Sequence, residues 1–323
     1  MEELKLSIVI PVYNSQDCLA LLNTEMVKAL SNFGPYELIL VNDNSKDKSW
    51  EKIKEICAVN KNAIGISLRK NTGQNCAIMA GLNAAKGSFI VIMDDDLQHQ
   101  PGDIHTLYGE CVKGNYDVCF ASYFLKKQKI WKNFGSWLNG KLSEKLLNKP
   151  KGLYLSPFKI MKKEVATEIL KFKGADPYID AMILKVTSNI GQLEVKHHER
   201  VAGKSNFSFK KSLSIFISHA TYSVYPLRVL TITGFSSAFI SFLVGLAYLA
   251  EYLYSQQRVE GWISVILLLI FFGGLMLMSV GLIGEYIARI FLSVNTSSHY
   301  FIAETISGKQ LQEQQTQQQK AIH

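Results

Sequence analysis

The chain has 323 residues, room for one large domain or two modest ones, and is 48% hydrophobic but only 19% charged, apolar for a soluble enzyme. Its formal charge of +8 suits a surface of anionic lipid, and two long uncharged stretches argue against nucleic acid as the counterpart. The five cysteines show no CxxC or other metal-ligand spacing and read as packing residues of a reducing compartment.

The N-terminal half alternates apolar runs with helical patterns. No apolar run at the N-terminus reads as a signal peptide. "KLSIVIPVYN" is a buried strand ending in a proline and a polar turn, followed by a helix over 16–33. "YELILVNDNSKDKS" is a second strand with an Asp/Asn/Ser turn, and a helix from about Trp50 to Val59 follows. "AIGISLRKNTGQ" is a third strand, "NCAIMAGLNAAKG" a small-residue helix and "FIVIMDDD" a fourth strand. Strands alternating with helices predict a parallel sheet covered on both faces, which binds ligands at the carboxyl ends of its strands. Three of those ends carry conspicuous polar groups: Tyr13 and Asn14, Asp43, and Asp94 to Asp96.

Residues 126–163 hold eleven lysines and one acid, Glu144. Between Ile130 and Leu147 an apolar stripe keeps roughly helical spacing. It reads either as a core-facing helix with a wet basic face or, preferably, as an interfacial helix with Trp at headgroup depth. A second such helix is predicted from Phe207 to Tyr225. No charged residue occurs from Val229 to Ala250 or from Gly261 to Gly284, and each stretch exceeds the ~20 residues a helix needs to cross a bilayer. The basic residues Arg200, Lys204, Lys210, Lys211 and Arg228 precede the first stretch and Arg289 follows the second. The positive-inside rule then places the N-terminal domain and the C-terminal tail in the cytoplasm. The predicted organisation is a catalytic domain at 1–206, a juxtamembrane amphipathic helix at 207–228, transmembrane helices at 229–253 and 261–288, and a tail at 289–323, Gln-rich and disordered after Ser307.

The three aspartates are the sharpest chemical signal. Like charges at a strand's carboxyl end serve general acid–base chemistry or hold a hard cation, and magnesium takes one or two carboxylates plus substrate phosphates. In an extended end Asp94 and Asp96 point one way and Asp95 the other. A helix cap is the plain alternative.

"SIVIPVYN", "ELILVNDNSKDKS", "RKNTGQNCAIMAGLNAAKG", "VIMDDDLQHQP" and "HHERVAGKSNFS", in that order and followed by two apolar stretches, resemble the polyisoprenyl-phosphate glycosyltransferases. That family includes the dolichyl-phosphate mannose synthases, undecaprenyl-phosphate aminoarabinose transferases and bactoprenol glucosyltransferases, and the resemblance runs to about Ile302. It implies a GT-A α/β fold, a Mg2+ or Mn2+ ion, and inverting transfer from a nucleotide sugar to a polyprenyl phosphate in the bacterial inner membrane, feeding cell-envelope glycan or lipopolysaccharide modification. A UDP- or dTDP-linked donor is favoured over a GDP-linked one, and a homo-oligomer, a tetramer, is implied. By position the resemblance gives Pro11 and Tyr13 to the base pocket, Asp43 to the nucleoside, Asp94 to ribose or diphosphate, and Asp96 and Gln98 to the metal. Asp94, Asp96 and Arg200 become the catalytic set. Lys132, Ser136, Arg200, Lys204 and Ser205 fall where the family grips the lipid phosphate, and Arg forks with Lys point charges suit that task.

The chain departs from the family where relatives read "DYGCMLR" and it reads "LYLSPFK": the aspartate is Leu153 and the arginine Lys159. Ser15 stands where a glutamate is common, and the loop of Tyr123 to Lys127 lacks the relatives' arginine. The alternatives are a processive polysaccharide synthase, which would need a QxxRW-like motif and more spans, and a non-catalytic membrane scaffold of the same fold.

Overall fold

The structure, a computed structural model, describes residues 4–123, 149–172, 177–195, 261–295 and 299–312, with isolated positions between 232 and 254. The described residues fall into two compact units, 4–123 with 149–172, 177–195 and 299–312 in the first and 261–295 with the isolated positions in the second.

The first unit runs β1 (Leu6–Val12), α1 (Gln16–Leu30), β2 (Tyr36–Asn42), α2 (Ser49–Val59), β3 (Ala63–Leu68), α3 (Gln74–Ala84), β4 (Phe89–Ile92), α4 (Asp103–Lys113), β5 (Val118–Tyr123), β6 (Lys159–Lys162), α5 (Lys163–Leu170), α6 (Ile179–Val186) and β7 (Ile190–Val195). It closes with β8 (Ile302–Ser307), reached after α7 (Trp262–Asn295) of the second unit. One eight-stranded sheet results, in the order β7-β5-β6-β4-β1-β2-β3-β8. Its centre, β4-β1-β2-β3, is parallel, whereas β6 runs antiparallel to both β4 and β5 and β8 antiparallel to β3.

Helices cover both faces, which is why β1 and β2 are buried at every position rather than at alternate ones. Leu6, Ile8, Ile10 and Val12 of β1 join the layer of α1, α2 and α4, and Val9 joins that of α3, α5 and α6. Helix α3 lies close to the sheet because its facing residues are small. A β-carbon added at Gly81 would come 2.3 Å from Cγ1 of Val9.

A buried polar node fixes the opposite end of the central strands. Glu37 Oε1 accepts from the Ser7 hydroxyl at 2.6 Å and from the Lys86 amide at 2.6 Å, while the Gly87 amide donates to Ser7 Oγ at 2.8 Å. These bonds set where the chain enters β4, and so where β4 ends.

The structure alters several expectations. β4 stops at Ile92, so Asp94 to Asp96 lie in a bend beyond the strand rather than on its extended end. β5, β6, β7 and β8 go beyond the four predicted strands. The stretch expected as a tail from 289 contains the end of α7 and the edge strand β8, whose Glu304 accepts from Trp50 Nε1 at 3.1 Å and pairs with Lys54 at 3.2 Å. Both predicted interfacial helices and most of the first apolar stretch lie outside the described residues.

Helix α7 is 34 residues long. Among the described residues, no helix is long and apolar enough to cross a membrane.

Two glycine replacements test the packing account. Gly81→Ala gains helix propensity but drives a methyl into Val9, so a net loss of about 1–2 kcal/mol is expected. At Gly109 in α4 an added β-carbon meets nothing within 4 Å. Gly109→Ala should gain up to about 1 kcal/mol. Denaturation midpoints of the two variants, falling on opposite sides of wild type, check this.

Candidate functional site

The carboxyl ends of β1, β2 and β4 build the site. Pro11 is in the interior of β1 and has no N–H to offer. The ladder from β1 to β2 continues past it to Val12↔Asn42, while the ladder from β1 to β4 stops at Val9↔Ile92. This is the pattern of a proline whose missing donor faces β4. β4 is thereby released from β1, and the chain bends through Met93 and the aspartates to Leu97, a buried leucine held at φ 58°. A side chain in the left-handed region is uncommon, and its burial holds the bend.

The loops after β1 and β2 lock together. Asn14 and Asn44 both take left-handed backbone, at φ 53° each. The Asn14 amide donates to Ser45 Oγ at 3.0 Å and Asn14 Oδ1 accepts from the Lys46 amide at 2.8 Å. The Ser15 amide donates to Ser49 Oγ at 2.9 Å and the Gln16 amide to Asp47 Oδ2 at 3.1 Å. Tyr13, 46% exposed, stands above this platform beside buried Pro11.

Asp43 is buried and its carboxylate faces the next loop. Oδ1 accepts from the Thr72 amide at 2.8 Å and Oδ2 from the Gly73 amide at 2.8 Å. Gly73, at φ 90°, is the N-cap of α3. Asp43 therefore sets the approach of α3; its Oδ1 accepts also from the Thr72 hydroxyl at 3.3 Å, while Oδ2 keeps a second lone pair for a ligand donor.

That approach brings Gln74, the first residue of α3, to the aspartates: its Nε2 donates to Asp94 Oδ1 at 2.7 Å. Burial pushes the Asp94 carboxyl up from 3.8 to about 6, with repulsion from Asp96 and Asp95 adding to it and Lys159 and Gln74 opposing it. Burial likewise pushes Asp95 up to about 6, against the Ser15 hydroxyl and the Tyr13 amide, which favour its ionised form. The two carboxyls thus face different neighbours, Asp94 the start of α3 and Asp95 the turn after β1. Asp96 is buried, and its Oδ1 accepts from the Gln98 amide at 3.1 Å, tightening the bend. His99 is buried and stacks on Phe158 with centroids 5.3 Å apart.

The donor set consists of hard oxygens that repel one another, which suits a hard divalent cation. Among the described residues no group of three or more His, Cys, Asp or Glu is arranged to hold a metal ion. A site with one or two carboxylates, completed by substrate phosphate oxygens, fits both facts.

Pro11, Tyr13, Asp43, Asp94, Asp96 and Gln98 all fall at this one end of the sheet. Lys132, Ser136, Arg200, Lys204 and Ser205 lie outside the described residues. Gln74 and Asp180 escaped the sequence reading. Gln74 follows a turn-forming "NTG" and gives no charge signal; Asp180, in "DPYID", reads as an ordinary helix start. Leu153 packs partly buried against the α3 layer, and its carbonyl accepts from Lys149 Nζ at 2.6 Å.

Residues 7–170 match the family model described as glycosyl transferase family 2. The undecaprenyl-phosphate 4-deoxy-4-formamido-L-arabinose transferase of Pectobacterium carotovorum subsp. carotovorum (strain PC1) is 29% identical over 306 residues, 93% of this chain and 93% of the relative. The protein of that description from Edwardsiella ictaluri (strain 93-146) is 30% identical over 314 residues, 96% of each. Among solved structures, glucosyl-3-phosphoglycerate synthase from Mycobacterium tuberculosis, in complex with Mn2+, UDP-glucose and phosphoglyceric acid, aligns with a TM-score of 0.50 at 16% identity. The alignment covers 68% of this chain and 79% of that one. At that identity the likeness concerns the fold alone, a GT-A-like α/β fold.

The raised carboxyls make stability depend on pH. Their folded values, about 6, exceed the ordinary 3.8, so between those values the folded state holds more protons than the unfolded chain. Stability therefore falls as pH rises through this window and stays lower above it. With chelator present, Asp94→Asn should raise stability at pH 8 by on the order of 1–2 kcal/mol, discounted for partial exposure, and by little at pH 4. Denaturation midpoints of wild type and variant across that range check the sign.

Proposed function

The chain belongs to glycosyl transferase family 2, and from that premise we propose that it transfers a sugar from a nucleotide sugar to a polyprenyl phosphate at the cytoplasmic face of a bacterial inner membrane. The observation that carries this reading is the gathering of Asp43 and Asp94 to Asp96 at one end of a doubly covered sheet, beside the start of α3. Relatives matched over nearly their whole length, named as transferases acting with undecaprenyl phosphate, supply the acceptor class.

In this reading the acceptor phosphate oxygen attacks the anomeric carbon. A new O–C1 bond forms, the bond from C1 to the nucleotide diphosphate breaks, and the diphosphate leaves with the electron pair and inversion at C1. Tyr13 and Pro11 flank the base, and the second lone pair of Asp43 Oδ2 accepts from a nucleoside donor. Asp94 orients toward ribose or diphosphate, and Asp96 with Gln98 would hold Mg2+ or Mn2+, which supplies positive charge against the departing diphosphate. Lys132, Ser136, Arg200, Lys204 and Ser205 grip the lipid phosphate. A phosphate is already ionised at neutral pH, its second pKa being ~6, so the acceptor needs no general base and Leu153 is tolerated.

The membrane reading rests on α7 and on the uncharged stretches. From Gly261 to Gly284 no residue is charged. Leu268, Leu269, Phe271, Met276 and Met278 are 53%, 68%, 64%, 71% and 60% exposed, so the described unit leaves them without cover. Lipid contact removes that apolar surface from water. Residues 229–253 and 261–288 are proposed to span, with the juxtamembrane helix at 207–228, and UDP- or dTDP-linked sugars are the favoured donors. A homo-oligomer, a tetramer, is proposed by resemblance.

Two measurements test this. Membranes holding the protein, supplied with undecaprenyl phosphate and a panel of labelled UDP-, dTDP- and GDP-sugars, should form a lipid-linked sugar that chelator abolishes. Asp96→Asn should lower that turnover at least ~100-fold while the protein stays folded. Product formation unaffected by chelator would remove the metal from the reading. For topology, Ser255→Cys in intact cells should react with an impermeant thiol reagent; reaction only after lysis would reverse the orientation.

A further inference from the structure

The aspartate bend has a cationic neighbour from the antiparallel side of the sheet. Lys159 opens β6 and is the cross-strand partner of Ile92, the last residue of β4, two positions before Asp94. Cross-strand partners share a face, so Lys159 lies on the side of the sheet that packs α3, α5 and α6. Its side chain is 4% exposed, its Nζ is bonded to Asp180 Oδ1 in the first turn of α6, and it sits 5.2 Å from the centre of the Phe120 ring. Its charge also acts on Asp94.

A buried ion pair adds little net stability compared with well-packed apolar side chains, so stability alone gives no strong reason for one here. Its place gives one. Lys159 stands between two carboxyls, Asp180 bonded to it and Asp94 within reach of its charge, and the route from Asp180 through Lys159 to Asp94 and Gln74 joins α6, β6, the bend after β4 and α3. We propose that Lys159, anchored by Asp180, is a positioning residue that tempers the charge of the aspartate bend and so sets how tightly a divalent cation is held there. The inference rests on the reading above, that this bend takes a divalent cation together with a nucleoside diphosphate.

The proposal makes opposite predictions for the two members of one ion pair. Without the ammonium, the bend repels a cation less; without Asp180, the ammonium turns wholly to Asp94 and repels it more. In the purified full-length protein at saturating UDP, Lys159→Met should tighten Mn2+ binding roughly three- to tenfold, the range expected for loss of one nearby charge in a partly screened site. Asp180→Asn should weaken it by a similar factor, and Lys159→Arg, which keeps the charge, should bind Mn2+ as wild type does. Free Mn2+ is read by electron paramagnetic resonance, independently of turnover. Should Lys159→Met lose its unfolding transition, Lys159→Met/Asp180→Asn carries the test, with binding again tighter than wild type because the lost ammonium is the one of the two charges that acts on Asp94. A pair that serves only folding would move Mn2+ affinity in the same direction in both single variants, or in neither, and either result overturns the inference. A wild type that binds UDP but takes up no Mn2+ would overturn the metal reading, and this inference with it.

Discussion

Carboxylates crowded at the end of a buried strand repel one another and lose hydration, and the architecture of the first unit is organised around tolerating that. Asp94 and Asp95 are both pushed up to about 6, with burial the larger cause and neighbouring charge the second. The opposing groups come from separate places in the sequence: Gln74 from α3, Ser15 and Tyr13 from the turn after β1, and Lys159 from β6. Only the strand order β6-β4-β1 brings them together. Ser15 illustrates the economy. A glutamate at that position would have added a further negative charge beside Asp95, whereas the serine hydroxyl favours the charge already there.

The geometry of the bend is set at a distance from it. The Ser7–Glu37 node fixes the entry of β4, four residues of strand follow, and Pro11 withholds the donor that would have carried the ladder further. On the other side, Asp43 spends one lone pair on each of two loop amides and so sets Gly73 and the start of α3. Gln74 reaches Asp94 as a consequence. Asp43 is therefore a structural residue of the site whatever it does for a nucleoside, and its substitution would disturb Asp94 through α3 even without a ligand.

How much of this was legible in the sequence follows from which residues advertise themselves locally. The central strands are unbroken apolar runs closed by Pro, Asn, Asp or Ser, and such runs need no distant partner to be recognised. β6 was hidden because "KIMK" sits in a lysine-rich stretch, β7 because "IGQLEV" mixes polar and apolar residues, and β8 because an exposed edge strand carries little pattern. Its pairing with β3 is also remote, joining Ile64 to Ser307. The site divides the same way. The three aspartates are conspicuous in any reading, but β4 ends sooner than its apolar run suggested, so they lie beyond the strand rather than on it. Asp180 is meaningful only across the sheet from Lys159, a relation that spacing along the chain does not carry.

Under the proposed function, the loss of the family aspartate at Leu153 and the charge balance at Lys159 belong to one argument. A sugar hydroxyl must shed a proton to become a nucleophile, so an enzyme that uses one needs a base near the acceptor. A lipid phosphate arrives as an anion, and the difficulty moves from removing a proton to bringing two anions, phosphate and nucleotide diphosphate, to the same place. The residues that matter are then those that manage charge. A leucine can pack at position 153 because such an acceptor makes no demand for a base there. An ammonium anchored by Asp180 and acting on Asp94 reduces the negative field that an incoming diphosphate meets.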